Sequence, residues 1–374
     1  MEKTPVYLDY NASGVMRPAV AKLMTSLLGV PGNASSIHGF GRAARQHIEQ
    51  ARAQVAALAG THPNYVTFTA GATESNNAVL KHFAGQTIFI SAIEHPSVRE
   101  AAPDAIQIPV TRDGVIDLDA FEALLDQFQP ALISVMLVNN ETGVIQPVAE
   151  IARRARLKHP RVFIHCDAVQ AAGKIPFELA LLGVDYLSLS AHKMGGPQGV
   201  GALLCAPGAE PVPFLHGGGQ EKRQRAGTEN IAGIAGFGLA AEIARAELAA
   251  YQQLATLRDD LEARLSKAAP ALVIFGQHAP RVANTSNVGL PGIAANTQLM
   301  NLDIEGIAVS SGSACSSGTV KPSHVLEAMG AGPDLASHAL RISLGWATTP
   351  ADINQLAEAW LKMYDRVKDK IKKA

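Results

Sequence analysis

From about residue 64 the chain alternates short apolar runs of strand length with longer stretches of mixed character. The runs are "YVTFTA", "TIFISAI", "ALISVMLV", "RVFIHC", "DYLSLS" and "VGALLC". Among the intervening stretches, 74–84, 117–129 and 147–158 carry apolar residues at helical spacing. Near-continuous apolar strands separated by helices predict a mostly parallel sheet, because each parallel crossover lays a helix on one of its faces. A proline-free segment, 231–268, rich in Ala, Leu, Glu and Arg, predicts a long helical connector. Beyond Pro270 the runs shorten and mix, with "LVIFG", "TSNVGL", "IAVSSGSAC" and "ALRISLG", then a final helix from about 351. The expected architecture is α/β. A large domain over 13–255 holds the central sheet, and a smaller α+β domain is built from 1–12 and 256–374.

Ligands of such sheets bind beyond the carboxyl ends of the strands. The residues that follow the runs are therefore the ones to weigh: Gly71-Ala72-Thr73, Glu94-His95, Asn139-Asn140, Asp167, and Ser190 to Lys193. This is a polar, chemically loaded set.

The composition narrows the possible chemistry. Among 374 residues, 47% are hydrophobic and 17% charged, with a formal net charge of −1. That balance offers no field for nucleic acid or an anionic membrane. "MEKTPVYLDY" lacks the apolar core of a signal peptide, and Glu242, Arg245 and Glu247 interrupt the most apolar later stretch. Three cysteines without paired spacing argue against a disulfide framework and for a reducing compartment, the cytoplasm. Cys166 and Cys205 fall in apolar runs and read as buried and inert. Cys315 differs, standing in "VSSGSACSSG" with little apolar company.

Lys193 follows a strand and enters "GGPQGVG"; it is either a solvated lysine or an amine that forms a Schiff base with a carbonyl cofactor. Gly71-Ala72-Thr73 opens a helix, where backbone N–H groups and the Thr hydroxyl serve a phosphate or an ordinary cap. Asp167 ends an apolar strand, where a carboxylate needs a cation such as a protonated pyridine nitrogen, or a helix to cap. Gln170 stands close enough in sequence to reach a ring substituent. Neither the P-loop pattern nor the dinucleotide fingerprint is present, and no H-E-x-x-H or Cys/His spacing points to a metal. Taken together, the lysine, the aspartate and the helix start describe a pyridoxal 5′-phosphate site. "LHGGGQEKRQRAGTEN" reads as a solvated loop, or as a phosphate or subunit contact.

The chain resembles the cysteine desulfurases of the class V aminotransferase group, within the fold-type I pyridoxal phosphate superfamily. "GATESNN", "SAIEHPSV", "VNNETGVIQP", "HCDAVQ", "SLSAHKMGGPQGVG", "HGGGQEKRQRAGTEN" and "SSGSACSSG" carry the resemblance, which runs from "VYLDYNAS" to "ALRISLGWATT". It implies that Lys193 bears the cofactor as a Schiff base and that His95 stacks on the pyridine ring. Asp167 would pair with the ring nitrogen and Gln170 with the phenolic oxygen. Thr73, beside Ala72, would hold the phosphate with Ser190, His192 and Thr228, the last from the other subunit of a homodimer. Asn140 and Arg341 would hold the substrate carboxylate, which a guanidinium can grip by two parallel hydrogen bonds. Cys315 would attack the sulfur of L-cysteine, release L-alanine and become a persulfide for an acceptor or iron–sulfur scaffold protein, with His95 or His324 helping its ionisation.

Some features depart from the family pattern. "DYNASGVMRP" stands where an Ala-Thr-Thr-Pro version is commoner, which bears on local contacts, and Ala191 replaces a common glycine. The long "SSGSACSSGTVKPSH" loop resembles the nitrogenase and housekeeping iron–sulfur subclass. Selenocysteine lyase shares the architecture, a plain aminotransferase would have no use for Cys315, and a non-catalytic sulfur-relay scaffold would not need Lys193, Asp167, His95 and Cys315 together.

Overall fold

The apolar runs line up side by side in a seven-stranded sheet. The order across it is Val66–Thr69, Gly201–Cys205, Tyr186–Ser190, Phe163–Asp167, Leu132–Ser134, Ile88–Ser91 and Ile106–Ile108. This computed structural model describes residues 5–311 and 322–371, the last three without their side chains. Gly201–Cys205 runs antiparallel to both neighbours, and the remaining pairings are parallel. The strands are buried on both faces, which is why they read as continuous apolar runs and not as alternation. The short edge strand Ile106–Ile108 has no such run and was not expected from the pattern.

The predicted amphipathic helices form as Ala72–His82, Leu118–Gln127 and Val148–Lys158. The 231–268 segment departs from expectation. It is three helices, Ile231–Ala246, Leu248–Gln252 and Leu254–Ala268, and the first is a core element. The cause lies in its small residues: a Cβ at Gly238 would stand 2.4 Å from the Cα of Ala51, so glycine lets this helix pack directly on Gly39–Leu58. A polar connector could not bury Phe237, Ala240 and Ala241 in this way.

A second apolar core gathers Val6, Leu8, Leu261, Leu265, Leu340, Ile342 and Trp360. Around it stand an antiparallel sheet of Ala339–Ser343, Thr285–Gly289 and Val273–Ile274, and a parallel pair of Val6–Tyr7 with Ile307–Ala308. The N-terminal strand thus belongs structurally with the last third of the chain. That topology brings residues 9–14 back over the carboxyl ends of the central strands. No helix among the described residues is long and apolar enough to cross a membrane.

Candidate active site

Lys193 ends the short turn Ala191–Lys193 that directly follows the strand Tyr186–Ser190. Its Nζ donates to the carbonyl oxygens of Asn11 (2.6 Å) and Ala12 (2.7 Å). Burial pulls its pKa down to about 8, Arg341 adds to the effect, and Asp9 and Asp167 oppose it. An amine so depressed has an appreciable unprotonated fraction near neutral pH, as attack on an aldehyde requires.

Asp167 closes the neighbouring strand, Phe163–Asp167, and is buried. Its Oδ2 accepts from Asn76 Nδ2 (2.8 Å) and its Oδ1 from the Val169 amide (3.0 Å). Asn76 Nδ2 also donates to Ser97 Oγ (2.9 Å), which meets His95 Nδ1 at 2.8 Å. A polar chain therefore links Asp167 to His95. Because the Ser97 amide donates to His95 Nδ1 (3.1 Å), that nitrogen is an acceptor, and the neutral ring carries its proton on Nε2. Burial keeps the ring neutral by lowering its pKa, against the pull of Asp167.

Asn11 is the hub of the site. Besides holding Lys193 through its carbonyl, it accepts there from Gln170 Nε2 (2.9 Å). Its Nδ2 donates to the Asn140 carbonyl (3.1 Å) and to Thr285 Oγ1 (2.9 Å). The Asn140 carbonyl also accepts from Arg341 Nη1 (3.3 Å), while Arg341 Nη2 pairs with Asp9 Oδ1 (2.7 Å). Arg341 is buried, and its Nε has no partner among the described residues. A buried guanidinium N–H left free is a donor awaiting an acceptor, and a substrate carboxylate supplies one.

The helix Ala72–His82 starts at Gly71 without a side-chain cap, so the first N–H groups at Ala72 and Thr73 are open to an anion. Ser190 is buried nearby at the end of its strand, and His192 Nδ1 lies 3.3 Å from Ser13 Oγ with its pKa lowered to about 4 by burial. Thr228 lines a hollow of about 130 Å³ with Thr69, Ala70, Gly199 and Val200 of its own chain. The basic loop before it is stitched down and not simply solvated. Arg52 holds Glu221 in a buried bidentate pair (2.7 and 2.8 Å), Lys222 donates to the Asn64 carbonyl, and Arg225 faces Glu74. Glu221, Lys222 and Arg223 all adopt left-handed backbone angles (φ 46°, 56° and 68°), a strained turn that the Arg52 pair secures.

Cys315 lies outside the described residues. The described positions on either side of its segment are both anchored at the site. Ser310 exchanges backbone hydrogen bonds with Arg341 (3.1 and 2.6 Å). On the far side, Ser323 Oγ donates to Glu141 Oε2 (2.6 Å), and His324 Nε2 meets the Glu94 carbonyl (3.0 Å). Burial lowers the His324 pKa to about 4. Cys166 is buried with its thiol pushed up, as expected, whereas Cys205, the last residue of its strand, is only partly buried.

The sequence does not single out Asn11, Lys174 or Asp9 for the site, and Glu94 is marked only by its place after a strand. Lys174 is fully buried and donates to Asn11 Oδ1 and Gln170 Oε1. The sequence signal is polarity inside otherwise apolar or turn segments, which does not reveal that Lys174 meets Asn11 or that Asp9 meets Arg341, each more than a hundred residues away.

The donor set suits pyridoxal phosphate: a depressed amine for the aldehyde, a buried carboxylate for the pyridinium, and an uncapped helix start with Ser190 close by for the phosphate. The sequence pattern of the aminotransferase class-V family matches residues 6–356. The chain is 39% identical to cysteine desulfurase IscS of Dictyoglomus turgidum, over 98% of this chain and 96% of that one. Among solved structures it resembles a NifS-like protein from Rickettsia africae (TM-score 0.90, 37% identity, 97% and 100% of the two chains). It also resembles SspA in complex with cysteine (TM-score 0.78, 30% identity, 91% and 99%). A pattern that spans nearly the whole chain, on the fold those relatives share, shows that this protein belongs to the aminotransferase class-V family.

Proposed function

We propose that this protein is a pyridoxal phosphate-dependent cysteine desulfurase, converting L-cysteine to L-alanine with transfer of the sulfur to Cys315. The observation that carries this reading is the anchoring of both flanks of the Cys315 segment, one on Arg341 and the other on Glu141 and the Glu94-His95 turn. A plain aminotransferase needs no thiol there. Relatives named cysteine desulfurase, and one solved with cysteine, support the same reading.

The bound cofactor would supply an electron sink for the substrate α-carbon. This chain's residues do the rest. Arg341, with its free Nε, and Asn140 orient the substrate carboxylate. Lys193 would take and return the substrate α-proton as an amine whose pKa burial lowers to about 8. Asp167 would keep the pyridine nitrogen protonated, and Gln170 would donate to the phenolic oxygen. His95 would cover the ring with its Nε2–H available, and Thr73, Ser190 and His192 would hold the phosphate. At Cys315 an S–S bond forms as the substrate C–S bond breaks, so cysteine and the thiol become alanine and a persulfide.

Sulfur then passes to an acceptor, for which iron–sulfur cluster assembly in the cytoplasm is the expected setting. The working form is a homodimer in which Thr228 completes the partner's phosphate site. Large apolar side chains at Leu28, Val30, Ile37 and Phe40 stand exposed on one short stretch of the chain, a patch that a second copy would cover. The division into 13–255 and the remainder separates the cofactor-holding body from the part that carries Cys315.

The direct test is alanine and sulfide release from L-cysteine under reducing conditions. The wild type releases both in equal amounts, Lys193→Ala neither binds the cofactor covalently nor turns over, and Cys315→Ser keeps the yellow cofactor band without releasing sulfide. Full activity in Cys315→Ser would overturn the assignment and favour a lyase.

A further inference from the structure

Lys174 is a lysine with no place in the chemistry above and no counter-charge. It is 1% exposed. Its Nζ donates to Asn11 Oδ1 (2.7 Å) and Gln170 Oε1 (2.5 Å), both neutral amide oxygens. Among the described residues no carboxylate forms an ion pair with it, and the charges that act on it, Lys193 and Arg341, are cationic. A buried ammonium without a counter-ion is costly, whereas a neutral amine has two N–H groups, matching two acceptors.

The consequence falls on Gln170. The two ends of a primary amide are nearly isosteric, so neighbouring donors and acceptors decide which way it faces. Both N–H groups of the neutral amine are used on Asn11 Oδ1 and Gln170 Oε1. Gln170 must therefore turn its oxygen to Lys174 and its N–H groups the other way, where Nε2 now donates to the Asn11 carbonyl (2.9 Å). That carbonyl favours the same orientation only while Gln170 donates to it. Nε2 carries two N–H groups, so one can stay on the Asn11 carbonyl while the other faces the cofactor oxygen, and Lys174 fixes the opposite end of the amide. Asn11 needs no such lock, because Asn284 Nδ2 also donates to its Oδ1 (3.1 Å).

We propose that Lys174 is a positioning residue that pins the acceptor end of Gln170, so that the amide N–H faces the phenolic oxygen of the bound cofactor beside Lys193. This inference rests on the pyridoxal phosphate reading of the site.

A donor to the phenolic oxygen stabilises its anionic form and weakens proton binding at the lysine-linked nitrogen next to it. The test is a pH titration of the visible cofactor band in the wild type, Lys174→Met, Lys174→Gln, Gln170→Met and Lys174→Met/Gln170→Met. The charged groups that act on Lys193, namely Arg341, Asp9 and Asp167, are unchanged in all of them. Lys174→Met is expected to raise the midpoint by about one unit, tenfold in proton affinity. Lys174→Gln, which keeps a donor, stays nearer the wild type, and the double variant titrates like Gln170→Met alone. If Lys174→Met titrates as the wild type does, or if its shift adds in full to that of Gln170→Met, the proposal is overturned. Should Lys174→Met not fold, Lys174→Gln with and without Gln170→Met completes the same cycle. A wild type that forms no visible band with pyridoxal phosphate removes the cofactor reading itself, a distinct failure.

Discussion

Glu94 is a carboxyl group that the fold buries completely and satisfies on one side only. Its Oε1 accepts from Ser91 Oγ (2.6 Å) and the Met136 amide (2.8 Å), while Oε2 has no partner among the described residues. Burial pushes its pKa from 4.5 to about 8, helped by the negative charge of Asp167. The folded state therefore holds a proton that the unfolded chain releases, and stability falls as pH rises through that window, by at most about 1.4 kcal/mol per unit. Glu94→Gln mimics the protonated acid without the titration. Urea unfolding at a series of pH values should show the variant gaining on the wild type between about pH 5 and pH 8, and a constant difference would show that Glu94 is ionised. At this scale the sequence was most legible where chemistry demands a residue type at a strand end. Lys193 and Asp167 stood out, whereas Asn11 looked like a local departure and Lys174 like nothing in particular. Their importance lies in the contacts that join Asn11 to Lys174, Gln170 and Thr285, more than a hundred residues on, which no spacing encodes.

Among the elements, the central strands and the three amphipathic helices were readable because burial on two faces or on one leaves distinct periodicities. The 231–268 segment misled because alanine-rich composition favours a helix without revealing whether it is exposed. What buries Ile231–Ala246 is the close approach that glycine permits. Such approaches also shape the site. A Cβ at Gly201 would come within 2.6 Å of the Leu189 carbonyl and 2.7 Å of the Gly71 backbone, the turn that starts Ala72–His82. Gly201→Ala should cost about 1–3 kcal/mol in urea unfolding and weaken pyridoxal phosphate binding as that turn is displaced. Gly29→Ala, with open space around it, is the matched control and should change neither. An unchanged midpoint in Gly201→Ala would mean that the strand end relaxes freely.

For the whole molecule, the apolar stretch at Leu28, Val30, Ile37 and Phe40 is the feature a single chain does not account for, with Ile37 90% and Phe40 60% exposed. A loop that crosses Ala44 and Ile231 at Gly32 carries it close to the segment that bears Thr228. The double change Ile37→Asp with Phe40→Asp removes apolar contact area without touching either core. Sedimentation should then show a dimer for the wild type and a monomer for the variant, with the fold intact by circular dichroism. A wild type that sediments as a monomer would end the dimer proposal. The sequence by itself determined the strand and helix pattern, the family, and which residue types stand at the carboxyl ends of the strands, because periodicity and motif spacing are properties of the linear chain. Only the tertiary structure decided that residues 9–14 fold back over the sheet, that Arg341 and Asn11 meet on the Asn140 carbonyl, and that Asp167 reaches His95 through Asn76 and Ser97. Those contacts join segments brought together by packing the two cores, and hydrogen bonds across such distances exist only once the backbone has closed.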